Sequence, residues 1–174
     1  MSVKRRTGYN GSFKPMEIYL LRHGIAEEGR AGGRDSDRAL TAEGREKLRR
    51  VLKRASVAGV RPGVILASPY RRAVETAQTA AELLEYRGEI VKTQALVPNA
   101  SPQSAWEEIC SRRTEEAILL ASHEPLMSSL AAFLLSSPTL QVDMKKGALA
   151  RIDCEHFGPE PHGLLKWMLT AALS

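Results

Sequence analysis

The chain has 174 residues, 43% hydrophobic and 26% charged, the composition of one globular domain built around a single core. No apolar stretch approaches the roughly 20 residues that span a bilayer, which excludes a transmembrane helix. No apolar segment follows Lys4, Arg5, Arg6 and Lys14 to form a secretion signal, so a cytoplasmic protein is expected. The net charge of +5 is spread over the amino-terminal tail, one helix face and Arg71-Arg72, with aromatics at 5% and no nucleic-acid-binding motif; an acidic substrate or partner accounts for it, and nucleic acid is not expected as a partner.

Residues 1–15 are polar, contain Gly and Pro and lack periodicity, and read as a flexible amino-terminal arm ahead of one domain over 16–174. Ile18 to Leu21 is the apolar run of a buried strand that ends in Arg22-His23-Gly24. The Gly-, Arg- and Asp-rich segment from Gly29 to Ser36 is a loop, and Thr41 caps a helix whose buried stripe is Leu48, Val51, Leu52, Ala55 and Ala58, with Gly59 as its stop. Val64 to Ala67 is the next strand; Ser68-Pro69 reads as the cap and first position of a helix that buries Ala73, Ala77, Ala80 and Leu84. A strand is predicted at Glu89 to Val91, and a helix opened by Ser101-Pro102 turns Trp106, Ile109 and Cys110 inward. Ala117 to Ala121 is a third apolar strand running into Ser122-His123-Glu124-Pro125 and a helix with Leu126, Leu130, Phe133 and Leu134. Two more strands are predicted near Ala148 to Asp153 and Leu164 to Met168. Strands alternating with helices predict a three-layer α/β/α sandwich on a largely parallel mixed sheet. Cys110 and Cys154 lack metal-ligand or redox spacing and read as reduced thiols; no metal or other cofactor is expected.

Three of the apolar strands end in polar clusters: Arg22-His23-Gly24, Ser68-Pro69-Tyr70-Arg71-Arg72 and Ser122-His123-Glu124-Pro125. Parallel, adjacent strands would bring all three to one sheet edge, where α/β folds bind ligands and helix amino termini favour anions. Arginine forks match phosphate oxygens, and a neutral imidazole in line with phosphorus can take the group covalently and release it to water. On this reading His23 is the nucleophile, held in one tautomer by a backbone hydrogen bond, while Arg22, Arg72 and His123 surround the phosphate and Gly24 leaves room for it.

These residues carry a resemblance to the histidine phosphatase superfamily, with its phosphoglycerate mutase-like fold. Asp37-Arg38-Ala39-Leu40-Thr41-Ala42-Glu43-Gly44, Ser68-Pro69-Tyr70-Arg71-Arg72-Ala73 with Thr76, and Ser122-His123-Glu124-Pro125-Leu126 follow Leu21-Arg22-His23-Gly24 in the family's order. With Lys145-Lys146-Gly147 and Leu164-Leu165-Lys166-Trp167 the chain is similar to the small SixA-type phosphohistidine phosphatases. The resemblance implies His23 as the phosphorylated histidine, Arg22 and Arg72 as the arginines, His123 as the second histidine and Arg38 as a loop arginine near the phosphate. Arg72 rather than Arg71 matches because it directly precedes the alanine of its block.

Many members present a carboxylate that protonates an alcohol leaving group, but Ala95 to Ser101 contains none, and Glu75 and Glu107 read as exposed helix residues. An imidazole leaving group needs less help than an alkoxide. The expected activity is therefore hydrolysis of phosphohistidine on a protein partner such as a histidine phosphotransfer domain. A phosphatase for a small phosphate ester or anhydride is the alternative, and a non-catalytic phosphate-binding module is a third reading. Ser68 is read as a helix cap, Trp106 and Trp167 as core, and Lys145 and Lys146 as solvated turn residues or guides for an acidic protein.

Overall fold

The computed structural model describes residues 14–29 and 31–172, so the arm expected over 1–15 lies outside the described residues except for its last two positions. The strands are β1 (Met16–Arg22), β2 (Val64–Ala67), β3 (Ile90–Lys92), β4 (Ala117–Ser122), β5 (Leu149–Cys154) and β6 (Leu164–Leu169). The helices are α1 (Ala42–Val57), α2 (Arg71–Leu83), α3 (Pro102–Cys110) and α4 (Leu126–Leu134). The six strands form one sheet in the order β3-β2-β4-β1-β5-β6. Strands β3, β2, β4 and β1 run parallel, and β5 and β6 add antiparallel at one side, which is the mixed, largely parallel sheet expected.

The single core expected from chain length is divided in two by the sheet. Alternate residues of a strand point to opposite faces. Ile18, Leu20, Leu66, Ile118, Leu120 and Ile152 therefore pack on one side with Trp106 and Ile109 of α3 and Leu126, Met127 and Leu130 of α4. Tyr19, Leu21, Ile65, Ala67, Leu119 and Leu149 pack on the other with Leu48, Val51, Leu52 and Ala55 of α1 and Ala77 and Ala80 of α2. Trp106 belongs to the core as read, donating from Nε1 to the Gly158 carbonyl at 2.9 Å and stacking on Phe157. No helix among the described residues is long and apolar enough to cross a membrane.

The Ser-Pro rule holds at one helix and fails at another. Ser101 accepts from the Ser104 amide at 3.1 Å and caps α3, with Pro102 in its first turn. Ser68 does not cap α2, which begins at Arg71 with Tyr70 as the uncapped preceding residue. The reason is tertiary: the Ser68 amide continues the sheet ladder by donating to the Ala121 carbonyl at 3.0 Å, so the chain is still extended where the local rule would start a helix.

The loop after β1 and the start of α1 approach each other closely at two glycines. A Cβ on Gly24 would lie 3.2 Å from the Gly44 carbonyl oxygen, and one on Gly44 would lie 2.2 Å from the Ile25 carbonyl oxygen. Gly44 lies in α1, where glycine to alanine ordinarily gains up to about 1 kcal/mol in helix propensity. Steric conflict with a backbone oxygen outweighs that gain, because overpacking a close contact costs about 1–3 kcal/mol or more. Gly44→Ala is thus expected to lower the urea unfolding free energy by at least about 1 kcal/mol, and a stabilised variant would contradict the packing.

Candidate active site

Strand register assembles the site. Arg22 of β1 stands opposite Ser122 of β4, and Ala67 of β2 stands opposite Ala121. The next amides extend the ladder, with His23 N donating to the Ser122 carbonyl at 2.9 Å and Ser68 N to Ala121. Because β4 lies between β2 and β1, the three polar clusters that follow these strands meet at one edge of the sheet. The His23 and His123 rings lie 5.0 Å apart between centroids. Both are buried, as is Arg72 at the first turn of α2.

Hydrogen bonds define the protonation pattern. His23 Nδ1 lies 2.7 Å from the Gly24 carbonyl, which can only accept, so Nδ1 carries the proton and Nε2 carries the lone pair. That Nε2 accepts from Arg72 Nε at 3.3 Å. His123 Nε2 lies 2.9 Å from Ser68 Oγ, and Ser68 Oγ also accepts from the Tyr70 amide at 3.3 Å. The Ser68 hydroxyl and His123 Nε2 share one hydrogen bond, which either the hydroxyl or the imidazole N–H can donate. Among the described residues, His123 Nδ1 and Arg22 Nε are buried nitrogens without a hydrogen-bond partner in the protein. Arg22 is anchored through Nη1, which donates to the Met144 carbonyl at 2.5 Å. Buried polar nitrogens of this kind are costly unless a partner meets them.

Electrostatics keep both imidazoles neutral. Burial is the main cause, with a smaller contribution from the neighbouring Arg72 and Arg22; the His23 pKa falls to about 4 although its bond to Gly24 opposes the fall. His123 falls to about 3, again chiefly by burial, then through His23 and Arg72. Unfolded histidine titrates near 6.5, so between that value and about 4 the unfolded chain binds more protons than the folded one. The stability at stake is fully present above pH 6.5 and is lost as pH falls through the folded values. His123→Asn should flatten the fall in urea midpoint between pH 6.5 and 4, and an unchanged slope would contradict this burial.

The structure gives partners to the remaining residues singled out in the sequence. At Gly24, α1 packs against the position a side chain would take, and the amide donates to Thr76 Oγ1 at 3.2 Å. Arg38 Nε donates to the Glu27 carbonyl at 2.5 Å and Nη1 to Asp35 Oδ1 at 2.8 Å, which places it beside the residue that holds Arg72. Glu75 is not an exposed helix residue. It accepts from the Leu40 amide at 2.7 Å, from Arg45 at 2.8 Å and from Arg71 at 2.9 Å, tying α2 to α1 and the preceding loop. Glu107 is exposed and Arg71 is a salt-bridge partner, as read.

Asp35 and the partner of Ser68 are features that the sequence does not signal. Asp35 lies in a short 3-10 turn, Asp35–Asp37, and pairs with Arg72 at 2.8 Å. Its place in a polar loop carried no periodic signal. The hydroxyl of Thr76 donates to the Arg72 carbonyl at 2.7 Å while accepting from Gly24, joining the end of β1 to α2.

A mixed α/β sheet with paired arginines and neutral histidines at its strand ends is the frame of an oxyanion-handling protein. The family model for the histidine phosphatase superfamily (branch 1) matches residues 18–97. An uncharacterised protein of Picosynechococcus is 31% identical over 139 residues, 77% of this chain and 82% of that one. The chain belongs to the histidine phosphatase superfamily. Its fold is similar to that of the protein histidine phosphatase SixA solved with tungstate, at a TM-score of 0.79 and 22% identity over 90% of this chain and 98% of that one. It is similar also to a putative phosphohistidine phosphatase SixA from Agrobacterium tumefaciens, with a TM-score of 0.77, 24% identity and coverage of 91% and 99%. A mycobacterial glucosyl-3-phosphoglycerate phosphatase shares the fold with a TM-score of 0.67, 15% identity and coverage of 87% and 97%.

Proposed function

We propose that this protein is a metal-independent phosphohistidine phosphatase that acts on a phosphorylated protein, of the kind represented by a histidine phosphotransfer domain. The observation that carries the reading is the fixed lone pair on His23 Nε2, buried between arginines. In the first step Nε2 forms a bond to phosphorus as the substrate's P–N bond breaks, and the departing imidazole keeps or takes up a proton. In the second step water attacks phosphorus, the bond to His23 breaks, inorganic phosphate leaves and Nε2 regains its lone pair. Arg22 Nε and His123 Nδ1 would donate to phosphate oxygens, satisfying both buried nitrogens.

The carboxylates near the site support a leaving group that needs little protonation. Arg38 and Arg72 hold Asp35 below the usual carboxylate range although slight burial opposes them. Glu75 is also held low: the Leu40 amide, Arg71 and Arg45 outweigh its burial. Ionised carboxylates of this kind are poor acids for an alkoxide. The proteins named SixA with which this fold aligns are described as phosphohistidine phosphatases, which agrees with this choice.

A groove of about 530 Å³ adjoins Arg22 and is also lined by Lys47, Lys145, Lys146 and Asp143, a net positive surface suited to an acidic protein flank. Cys110 and Cys154 are unpaired thiols, which suits the reducing cytoplasm proposed as its location.

The test compares kcat/KM for a phosphohistidine-bearing phosphotransfer domain, free phosphohistidine, phosphoglycerate, sugar phosphates and nucleotides. The phosphoprotein is expected to exceed every ester by at least about 100-fold, and its rate to fall with ionic strength. Preference for phosphoglycerate or another small ester would overturn the protein-substrate reading.

A further inference from the structure

Arg72 lies in the buried cradle, yet part of its guanidinium faces a residue that is not a candidate for phosphate binding. Nη1 donates to the Asp35 backbone carbonyl at 2.6 Å and Nη2 to Asp35 Oδ2 at 2.8 Å, while Nε donates to His23 Nε2 at 3.3 Å. A guanidinium is planar and offers five N–H groups in a fixed fork. Asp35 occupies its end-on pair. The side edge, formed by Nε and the remaining N–H of Nη2, is the one turned toward His23. The ring of Tyr70 lies against the same group, 5.1 Å from the guanidinium carbon.

From this division of donors we propose that Asp35 is a positioning residue for Arg72, aiming the arginine's side edge at the phosphate that His23 attacks. The inference rests on the reading of His23 and Arg72 as the phosphate-handling pair and adds a residue to it. Asp35 is itself held from behind. Its Oδ1 accepts from Arg38 Nη1 at 2.8 Å, and Arg38 Nε is tied to the Glu27 carbonyl at 2.5 Å. A continuous chain of hydrogen bonds thus runs from the loop after β1 through Arg38, Asp35 and Arg72 to the reacting nitrogen, and it gives Arg38 a function one step removed from the phosphate.

The same contact invites the opposite reading, in which Asp35 competes with phosphate for Arg72 and must leave before substrate binds. Geometry decides between them, because the edge that Asp35 occupies is not the edge that faces His23. The two readings also differ in sign. A carboxylate close to a dianion weakens its binding, so removing a positioning Asp35 should leave anion affinity equal or tighter while turnover falls. Removing a competitor should raise both affinity and kcat/KM.

The experiment uses the full chain with phosphoramidate as the phosphoryl donor and tungstate as the competing oxyanion, so that it does not depend on the natural substrate. Asp35→Ala is expected to lower kcat and the rate of phosphoenzyme formation by about 10- to 100-fold, the effect of a small misplacement of a catalytic group. The tungstate Ki should be unchanged or lower. Asp35→Asn, which keeps an acceptor for Nη2, should recover part of the rate, and Arg38→Ala should show a weaker form of the same split. A gain in kcat/KM on Asp35→Ala, an unchanged kcat, or a joint loss of kcat and tungstate affinity with a lowered melting temperature would each overturn the proposal. A wild-type protein that forms a phosphoenzyme on His23 while Asp35→Ala is fully active sinks only this inference; a wild type that forms none overturns it together with the functional reading beneath it.

Discussion

His23→Ala should lose turnover and covalent phosphate together, with the rate falling at least about 10⁴-fold, as happens when the nucleophile of a covalent mechanism is removed. No neighbouring group can replace it. The other imidazole is 5.0 Å away between ring centroids, and its Nε2 is already hydrogen-bonded to Ser68 Oγ. Serine cannot substitute either, because Ser68 Oγ is hydrogen-bonded to His123 and Ser122 donates to the Leu96 carbonyl at 2.7 Å. The check is labelling with a radioactive phosphoryl donor followed by acid and base treatment, since a phosphorus-nitrogen bond is lost in acid and survives base. Label retained by His23→Ala would place the nucleophile elsewhere.

Arg72→Ala should be the next most damaging change, lowering kcat about 100- to 1,000-fold, the usual loss when one preorganised donor to a developing charge is removed. Its side chain is only 6% exposed and spans Asp35, His23 and the Tyr70 ring, so no solvent molecule restores the same donors in the same plane. Arg72→Lys should recover little. An ammonium supplies charge but not a planar fork, and it cannot meet Asp35 with two donors while presenting an edge to His23. Steady-state kinetics with either variant decides this, and a lysine variant within threefold of wild type would mean that charge alone suffices.

Much of the architecture was legible because buried parallel strands read as unbroken apolar runs. Ile18 to Leu21, Val64 to Ala67 and Ala117 to Ala121 are such runs, and each is followed at once by polar residues that could not belong to a core. Arg22, His23, Arg72 and His123 were found from those junctions and do lie together. Thr41 at the start of α1 and Ser101 at the start of α3 were legible for another reason: a cap bonds within three residues of itself, so local sequence contains both partners.

The misreadings fall where both partners cannot be local. Ser68 looks like Ser101 in sequence, yet its hydroxyl meets His123, 55 positions away, and its amide belongs to the sheet. At Gly24 the missing side chain also makes room for α1, a neighbour distant in sequence. Glu75 looked solvated and is a tether for Leu40, Arg45 and Arg71.

Composition, apolar runs and short-range capping therefore determined the class of fold, the order of its elements and the three polar clusters at the strand ends, since each depends on neighbours along the chain, while the resemblance to the superfamily singled out Arg72 from Arg71. Which nitrogen of His23 carries the proton, which edge of Arg72 faces His23, and the presence of Asp35 behind it were decided only by tertiary structure. Those features depend on directed hydrogen bonds between β1, β2, β4 and the loop before α1, and strand order with register alone brings their donors and acceptors within reach.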